Sequence, residues 1–205
     1  GGGQAIGLEE AGFSLLAATE IDTDCCKTLK HNRPHWKVIP CDIKSFDGYL
    51  FRGVDLLAGG VPCPPFSVAG KQLGDRDERD LFPQALRLIE QAEPCAVLLE
   101  NVRGLSTKRF ESYREKLYER ISNLGYIPFA KLLNAADYGV PQLRPRFIIV
   151  ALRPEFAPFF HWPTPLKKYL TVSESIGDLM LSNEWKGGIP WLKKAFQIAP
   201  TIVGG

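Results

Sequence analysis

The chain has 205 residues, 45% of them hydrophobic and 23% charged, and its 25 basic and 23 acidic residues leave a net charge of +2. This is the composition of an ordinary soluble globular protein with ample length for a core; it contains no run fit to span a bilayer, no signal peptide and no basic excess of the kind that announces nucleic acid. Five cysteines (Cys25, Cys26, Cys41, Cys63, Cys95), an odd number with no CxxC pair, argue against a disulfide framework or a structural zinc site and for a reducing, intracellular setting.

Gly1-Gly2-Gly3 opens onto a short helix with Ala5, Leu8 and Ala11 on one face and a stop at Gly12. A glycine turn entering a helix is half of a nucleotide-type fingerprint. The strand that should precede it is missing, so both ends of the chain look cut. Ser14 to Glu20 reads as a strand ending in an acid, and a helix runs on to about Asn32. Taken alone, Glu20 is a solvated strand-end acid and Asp22 a helix N-cap. Trp36 to Ile39 reads as a third strand, closing on Cys41-Asp42-Ile43 with a second strand-end acid.

The apolar run Val54 to Ala58 breaks into Gly59-Gly60-Val61-Pro62-Cys63-Pro64-Pro65-Phe66-Ser67. A strand that stops in this way delivers its last residues to the rim of a parallel sheet, where α/β folds bind ligands. The flanking prolines hold Cys63 in a stiff, extended turn. On this residue alone a framed nucleophile and a small buried hydrophobe are equally good readings. The loop from Val68 to Asp80 is polar and glycine-dotted, with a length that suits a lid or binding segment as well as a solvated connection. Leu81 to Glu93 is an amphipathic helix ended by Pro94. Cys95 to Val102 reads as a buried parallel strand ending in Glu100-Asn101. A helix from about Arg109 to Asn123, a strand from Tyr126 to Asn134 and a last strand from Arg146 to Ala151 follow.

This alternation predicts an α/β fold through residue 152, Rossmann-like, with a mostly parallel sheet and helices on both faces. From Arg153 onward prolines and tryptophans replace periodic runs, so residues 153–205 read as a linker and the start of a second module.

Pro62-Cys63-Pro64-Pro65-Phe66-Ser67, Glu100-Asn101-Val102 and Gln142-Leu143-Arg144-Pro145-Arg146, in this order and spacing, closely resemble the three signature motifs of the cytosine-C5 methyltransferase family. Leu81-Phe82 with Arg87 is similar to a weaker motif between the first two. Gly1 to Phe13 resembles the tail of the family's first motif. Trp162 to Pro165 and Ser175 to Leu179 look like segments that lead to its target-recognition domain.

The resemblance implies a class I S-adenosylmethionine-dependent fold, cut at both ends, that methylates C5 of a flipped-out cytosine in DNA. C5 is a poor nucleophile. A thiolate adding at C6, the role implied for Cys63, makes the ring an enamine that can take the methyl group. Glu100 would face N3 and the exocyclic amine, Arg146 the pyrimidine carbonyl oxygen, and Arg144 would steady Glu100 or a phosphate. Asn101 would be a turn-forming scaffold. For S-adenosylmethionine (S-adenosylhomocysteine after transfer), Gly1, Gly2 and Gly3 would approach the methionine end, Glu20 the ribose, Ile21 the adenine face and Asp42 the adenine amine. Ile43, Pro62 and Leu81 would complete the pocket. Lys71, Arg76 and Arg79 would touch phosphates, although Asp75, Asp77, Glu78 and Asp80 offset them.

The implied setting is a bacterial cytoplasm, on double-stranded DNA in the nucleoid, with a restriction endonuclease as companion in the same system. Alternatives are the family's tRNA-methylating branch and a non-catalytic cofactor- or nucleic-acid-binding relative; intact Cys63, Glu100, Arg144 and Arg146 argue against decay. A thiol oxidoreductase would want a resolving cysteine inside the Cys63 motif, and none is there.

Overall fold

The computed structural model describes residues 2–61, 80–182 and 185–202. Helix α1 (Gly3–Glu10) leads to strand β1 (Ala18–Glu20), helix α2 (Thr23–Asn32) and strand β2 (Val38–Pro40). Strand β3 (Leu56–Gly60), helix α3 (Phe82–Ala92) and strand β4 (Ala96–Val102) form a parallel βαβ unit. Helix α4 (Glu111–Asn123), strand β5 (Ile127–Asn134) and strand β6 (Pro145–Leu152) follow, then the short helices α5 (Val172–Leu181) and α6 (Gly188–Leu192). Among the described residues no helix is long and apolar enough to cross a membrane.

The strands form a parallel pair, β1-β2, and a four-stranded sheet in the order β3-β4-β6-β5. Strand β6 is antiparallel to both its neighbours, so β3, β4 and β5 point one way and β6 alone is reversed. The predicted α/β architecture with a mostly parallel sheet is therefore present. The first two strands are shorter than the apolar runs suggest. Phe13 and Leu16 stay exposed, and the sheet ladder begins only at Ala18, paired with Val38.

Alternation along β4 decides where the core lies. Val97, Leu99 and Asn101 are buried, whereas Ala96, Leu98, Glu100 and Val102 are half-buried on the opposite face. Against the first face pack Phe82, Leu86 and Ile89 of α3 and Leu117 and Ile121 of α4, the apolar positions that recur at helical spacing. Helix α3 starts where Asp80 Oδ1 accepts the Phe82 N–H at 3.0 Å. It ends at Glu93, left-handed at φ 45°, because the following Pro94 disfavours further helix.

A smaller cluster joins the N-terminal elements: Cys26, Trp36 and Val38, with Ala5, Ile6, Leu15 and Leu29 around them. Its polar clasp is Glu9, which accepts from His35 Nε2 at 2.8 Å, Trp36 Nε1 at 3.0 Å and Arg33 Nε at 3.3 Å. The His35 and Trp36 bonds, in that order, hold the Glu9 carboxyl at about 2 instead of its ordinary 4.5. A carboxylate depressed in the folded state adds stability above its ordinary value and loses it as pH falls through the folded value. The stability gap between wild type and Glu9→Gln is therefore expected to be full above pH 4.5 and to close toward pH 2, as read by urea midpoints across that range; a gap that does not depend on pH would remove this account.

Residues beyond β6 return to the sheet's rim. Gln142 bridges Ala199, Leu166 N–H donates to Asp137 O at 2.8 Å, and Thr201 Oγ1 donates to Leu143 O at 2.5 Å. The β5–β6 connection is itself closed at its base, where Asn134 Oδ1 accepts Arg144 N–H at 2.8 Å and Ala135 N–H donates to Arg144 O at 3.1 Å. Helix α5 carries a capping box of Thr171 and Glu174.

Candidate active site

Parallel strands bring their carboxyl ends to one rim; β6, being reversed, brings its start there. Gly60 ends β3 directly opposite Glu100. A Cβ at this position would sit 3.4 Å from Glu100 Oε2, in ordinary contact with it, so the Glu100 carboxylate reaches the end of β3. Val61, 8% exposed, is tied on both sides. Its N–H donates to Glu100 O at 3.1 Å, and its carbonyl accepts from Asn101 Nδ2 at 3.4 Å.

Asn101 is 2% exposed, and its Oδ1 takes the Val102 N–H at 2.8 Å. It lies inside β4 rather than in a turn, and its scaffold role is to join two strands. Asn101→Asp keeps the shape but replaces the buried donor with an oxygen facing the Val61 carbonyl. It is expected to cost about 1–3 kcal/mol of stability, measured by urea unfolding; an unchanged midpoint would show that the amide does not hold Val61.

Glu100 Oε1 pairs with Arg146 Nε at 2.5 Å, with the two side chains 34% and 22% exposed. Arg146 stands opposite Val102 and Glu100 opposite Ile148, so the pair is a diagonal cross-strand contact on one face. The arginine that steadies Glu100 is thus Arg146 and not Arg144. Arg144 precedes the first paired residue of β6, and its main chain is committed to Asn134 and Ala135.

In the separate parallel pair, Glu20 ends β1 and Asp42 follows the end of β2 by two residues. Glu20 Oε1 accepts the Asp22 N–H at 3.0 Å, and Asp42 Oδ1 accepts the Lys44 N–H at 2.9 Å. Among the described residues neither carboxylate uses its second oxygen. Asp22 is the N-cap of α2, accepting from Asp24 and Cys25 N–H at 2.9 and 2.8 Å; these bonds, that from Cys25 foremost, lower its pKa. Ile21 is 67% exposed, and Ile43 and Leu81 are half-buried. Gly2 is left-handed at φ 75°, and a Cβ there would meet Leu29 at 2.7 Å, whereas Gly3 faces open space as α1 begins. Gly1, Pro62 and Cys63 lie outside the described residues, as do Lys71, Arg76 and Arg79.

Two ties escaped the sequence reading. Tyr113 donates to Asp80 Oδ2 at 2.7 Å, anchoring the end of the loop before α3 to α4. Arg87 reaches across to the residues that follow Asp42. Neither could be seen in a helical pattern, because each joins segments distant in sequence. A cavity of about 510 Å³ also opens on the rim beside Pro145, lined by Arg103, Leu133, Asn134, Asp137 and Leu143 among others.

A family model described as C-5 cytosine-specific DNA methylase matches residues 1–201. The chain is 56% identical over 203 residues to Type II methyltransferase M.NgoMIV of Neisseria gonorrhoeae, covering 98% of this chain and 65% of that protein. It is 51% identical over 207 residues to Type II methyltransferase M.NaeI of Lentzea aerocolonigenes, covering 100% and 50%. Among solved structures, a mutant of DNMT2 from Spodoptera frugiperda matches with a TM-score of 0.62 and 26% identity, over 82% of this chain and 50% of the other. The chain thus spans 50–65% of the length of these relatives.

Proposed function

This chain belongs to the C-5 cytosine-specific DNA methylase family, and from that premise we propose that the protein methylates C5 of cytosine in duplex DNA as the modification half of a type II restriction–modification system. Residues 1–152 would be the cofactor-binding catalytic unit, and residues 153–205 the approach to the part that reads the target. A restriction endonuclease of the same specificity would be its companion.

The observation that carries this reading is the Glu100–Arg146 pair beside Gly60 and the doubly tied Val61. Cys63 follows Gly60 by three residues, a stretch of chain that spans at most about 11 Å. A thiolate from this segment and a carboxyl from the adjacent strand then serve one ring from two sides. Cys63 adds to C6 of the flipped cytosine, and the electron pair of the C5–C6 double bond moves toward N3. Glu100 supplies the proton at N3 and accepts from the exocyclic amine. Arg146 fixes the Glu100 carboxyl through Oε1, leaving Oε2 on the Gly60 side. After transfer, C5 loses its proton to solvent, the Cys63 sulfur leaves as thiolate, and N3 returns its proton to Glu100, restoring the aromatic ring.

The residues present fit S-adenosylmethionine as donor. Two carboxylates at or just past strand ends each keep an oxygen for a hydroxyl or amine, and Gly3 faces open space at the start of α1. Glu20, Ile21, Asp42, Ile43 and Leu81 would hold the adenosyl group, and Gly1 to Gly3 with Pro62 the methionine end. The bound cofactor supplies an electrophilic methyl group.

The test is transfer of labelled methyl from S-adenosylmethionine by the full-length protein. Label recovered as 5-methylcytosine in duplex DNA and absent from tRNA is expected. Label in tRNA alone, or transfer to neither, overturns the proposal.

A further inference from the structure

We propose that Arg87 is a positioning residue for the adenine end of the cofactor site, acting through the backbone of residues 43–46. The proposal rests on the cofactor reading given above. Arg87 lies on α3, half-buried, and its Nη2 donates to Ile43 O at 2.7 Å while Nη1 donates to Phe46 O at 2.9 Å. The rest of the fork is held by the helix itself, with Nε on Gln84 Oε1 at 2.9 Å and Nη1 also on Gln91 Oε1 at 2.8 Å.

Two further contacts fix the same segment on α3. Gln91 Oε1 accepts the Gly48 N–H at 3.0 Å, and a Cβ on Gly48 would fall 2.9 Å from Gln91 Cβ. Asp42 caps the 3-10 turn 43–45 from the other side through the Lys44 N–H. The turn that presents Asp42 and Ile43 is therefore stretched between β2 and one guanidinium. A planar fork reaches both carbonyls at once, whereas a lysine ammonium on a flexible stem keeps the charge without the paired geometry. Arg87 touches no reacting atom in this arrangement; it sets the place of the residues that would grip adenine.

The experiment compares wild type, Arg87→Lys, Arg87→Met and Gln84→Ala in the full-length protein. Titration calorimetry with S-adenosylhomocysteine, amide exchange of residues 43–48 without cofactor, and steady-state kinetics are read together. Both Arg87 variants are expected to bind S-adenosylhomocysteine about 10- to 100-fold more weakly, the scale of hydrogen bonds made by a charged group. Exchange at 43–48 should accelerate, the KM for S-adenosylmethionine should rise by the same factor, and kcat and the KM for DNA should hold within about twofold. Gln84→Ala, which frees neither carbonyl of the turn, should stay within about twofold in affinity.

Affinity that survives both Arg87 variants overturns the proposal, as does a fall in kcat at unchanged affinity. Equal weakening by Gln84→Ala also overturns it, since the effect would then belong to α3 as a whole. Wild-type protein that binds no S-adenosylhomocysteine overturns the cofactor reading itself and this proposal with it.

Discussion

Replacing Cys63 with alanine in the full-length protein is expected to reduce methyl transfer by at least about 10⁴-fold, the scale on which enzymes lose a covalent nucleophile, while S-adenosylhomocysteine binding stays within about twofold. The expectation follows from the chemistry of the ring. Without an adduct at C6, C5 carries too little electron density to attack a sulfonium methyl, and the nearby polar groups among the described residues are already engaged. Glu100 is already bonded to Arg146, and Asn101 is committed to Val61 and Val102. Cofactor binding is spared because the residues assigned to it come mainly from β1, β2 and the turns after them. DNA carrying 5-fluorocytosine gives a second readout. Fluorine at C5 blocks the proton loss that releases the enzyme, so wild type should remain covalently attached and Cys63→Ala should not. Turnover by the alanine variant, or trapping without Cys63, would place the nucleophile elsewhere.

The second large effect concerns the ion pair. Glu100→Gln and Arg146→Ala are each expected to lower kcat by about 10²- to 10³-fold, the range for losing a positioned acid–base group. Stability should fall by no more than about 1 kcal/mol, because exposed and half-exposed pairs contribute little. Arg146→Lys should not restore activity, since the contact is made by Nε in a fixed plane. The double variant is expected to cost little more than the worse single one, because the two residues act as a unit. Strictly additive losses would mean that Arg146 and Glu100 serve separate ends, with Arg146 bound to the ring on its own account.

Much of this rim was readable from the sequence. Buried parallel strands declare themselves as continuous apolar runs, and Val54 to Ala58 and Cys95 to Val102 locate β3 and β4 to within two residues. The Asp22 cap was equally plain, since an acid before a helix has few other uses. What the sequence concealed depends on register. Residues 144 and 146 share parity, so alternation alone does not say which arginine reaches Glu100. That is decided by the pairing of Arg146 with Val102 and by the start of β6 at Pro145. Asn101 looked like a turn residue because asparagine favours turns; only the neighbouring Val61 carbonyl reveals it as a strand-to-strand link. The Arg87 and Tyr113 ties were hidden for the same reason. Each partner is a backbone or carboxylate oxygen more than thirty residues away.

The reversal of β6 has a consequence for how such a protein changes over time. Since the exit of β5 and the entrance of β6 share a single connection, pinned at its neck by Asn134, Ala135 and Arg144, the tip beyond that pin is mechanically insulated from Arg146. Residues 199–201 attach to the tip, through Gln142 and Leu143. Substitutions or insertions between 136 and 143 can therefore re-aim whatever leans on that tip without disturbing the Arg146–Glu100 pair. On the function proposed above, target preference could in this way diverge while the site's chemistry stands still.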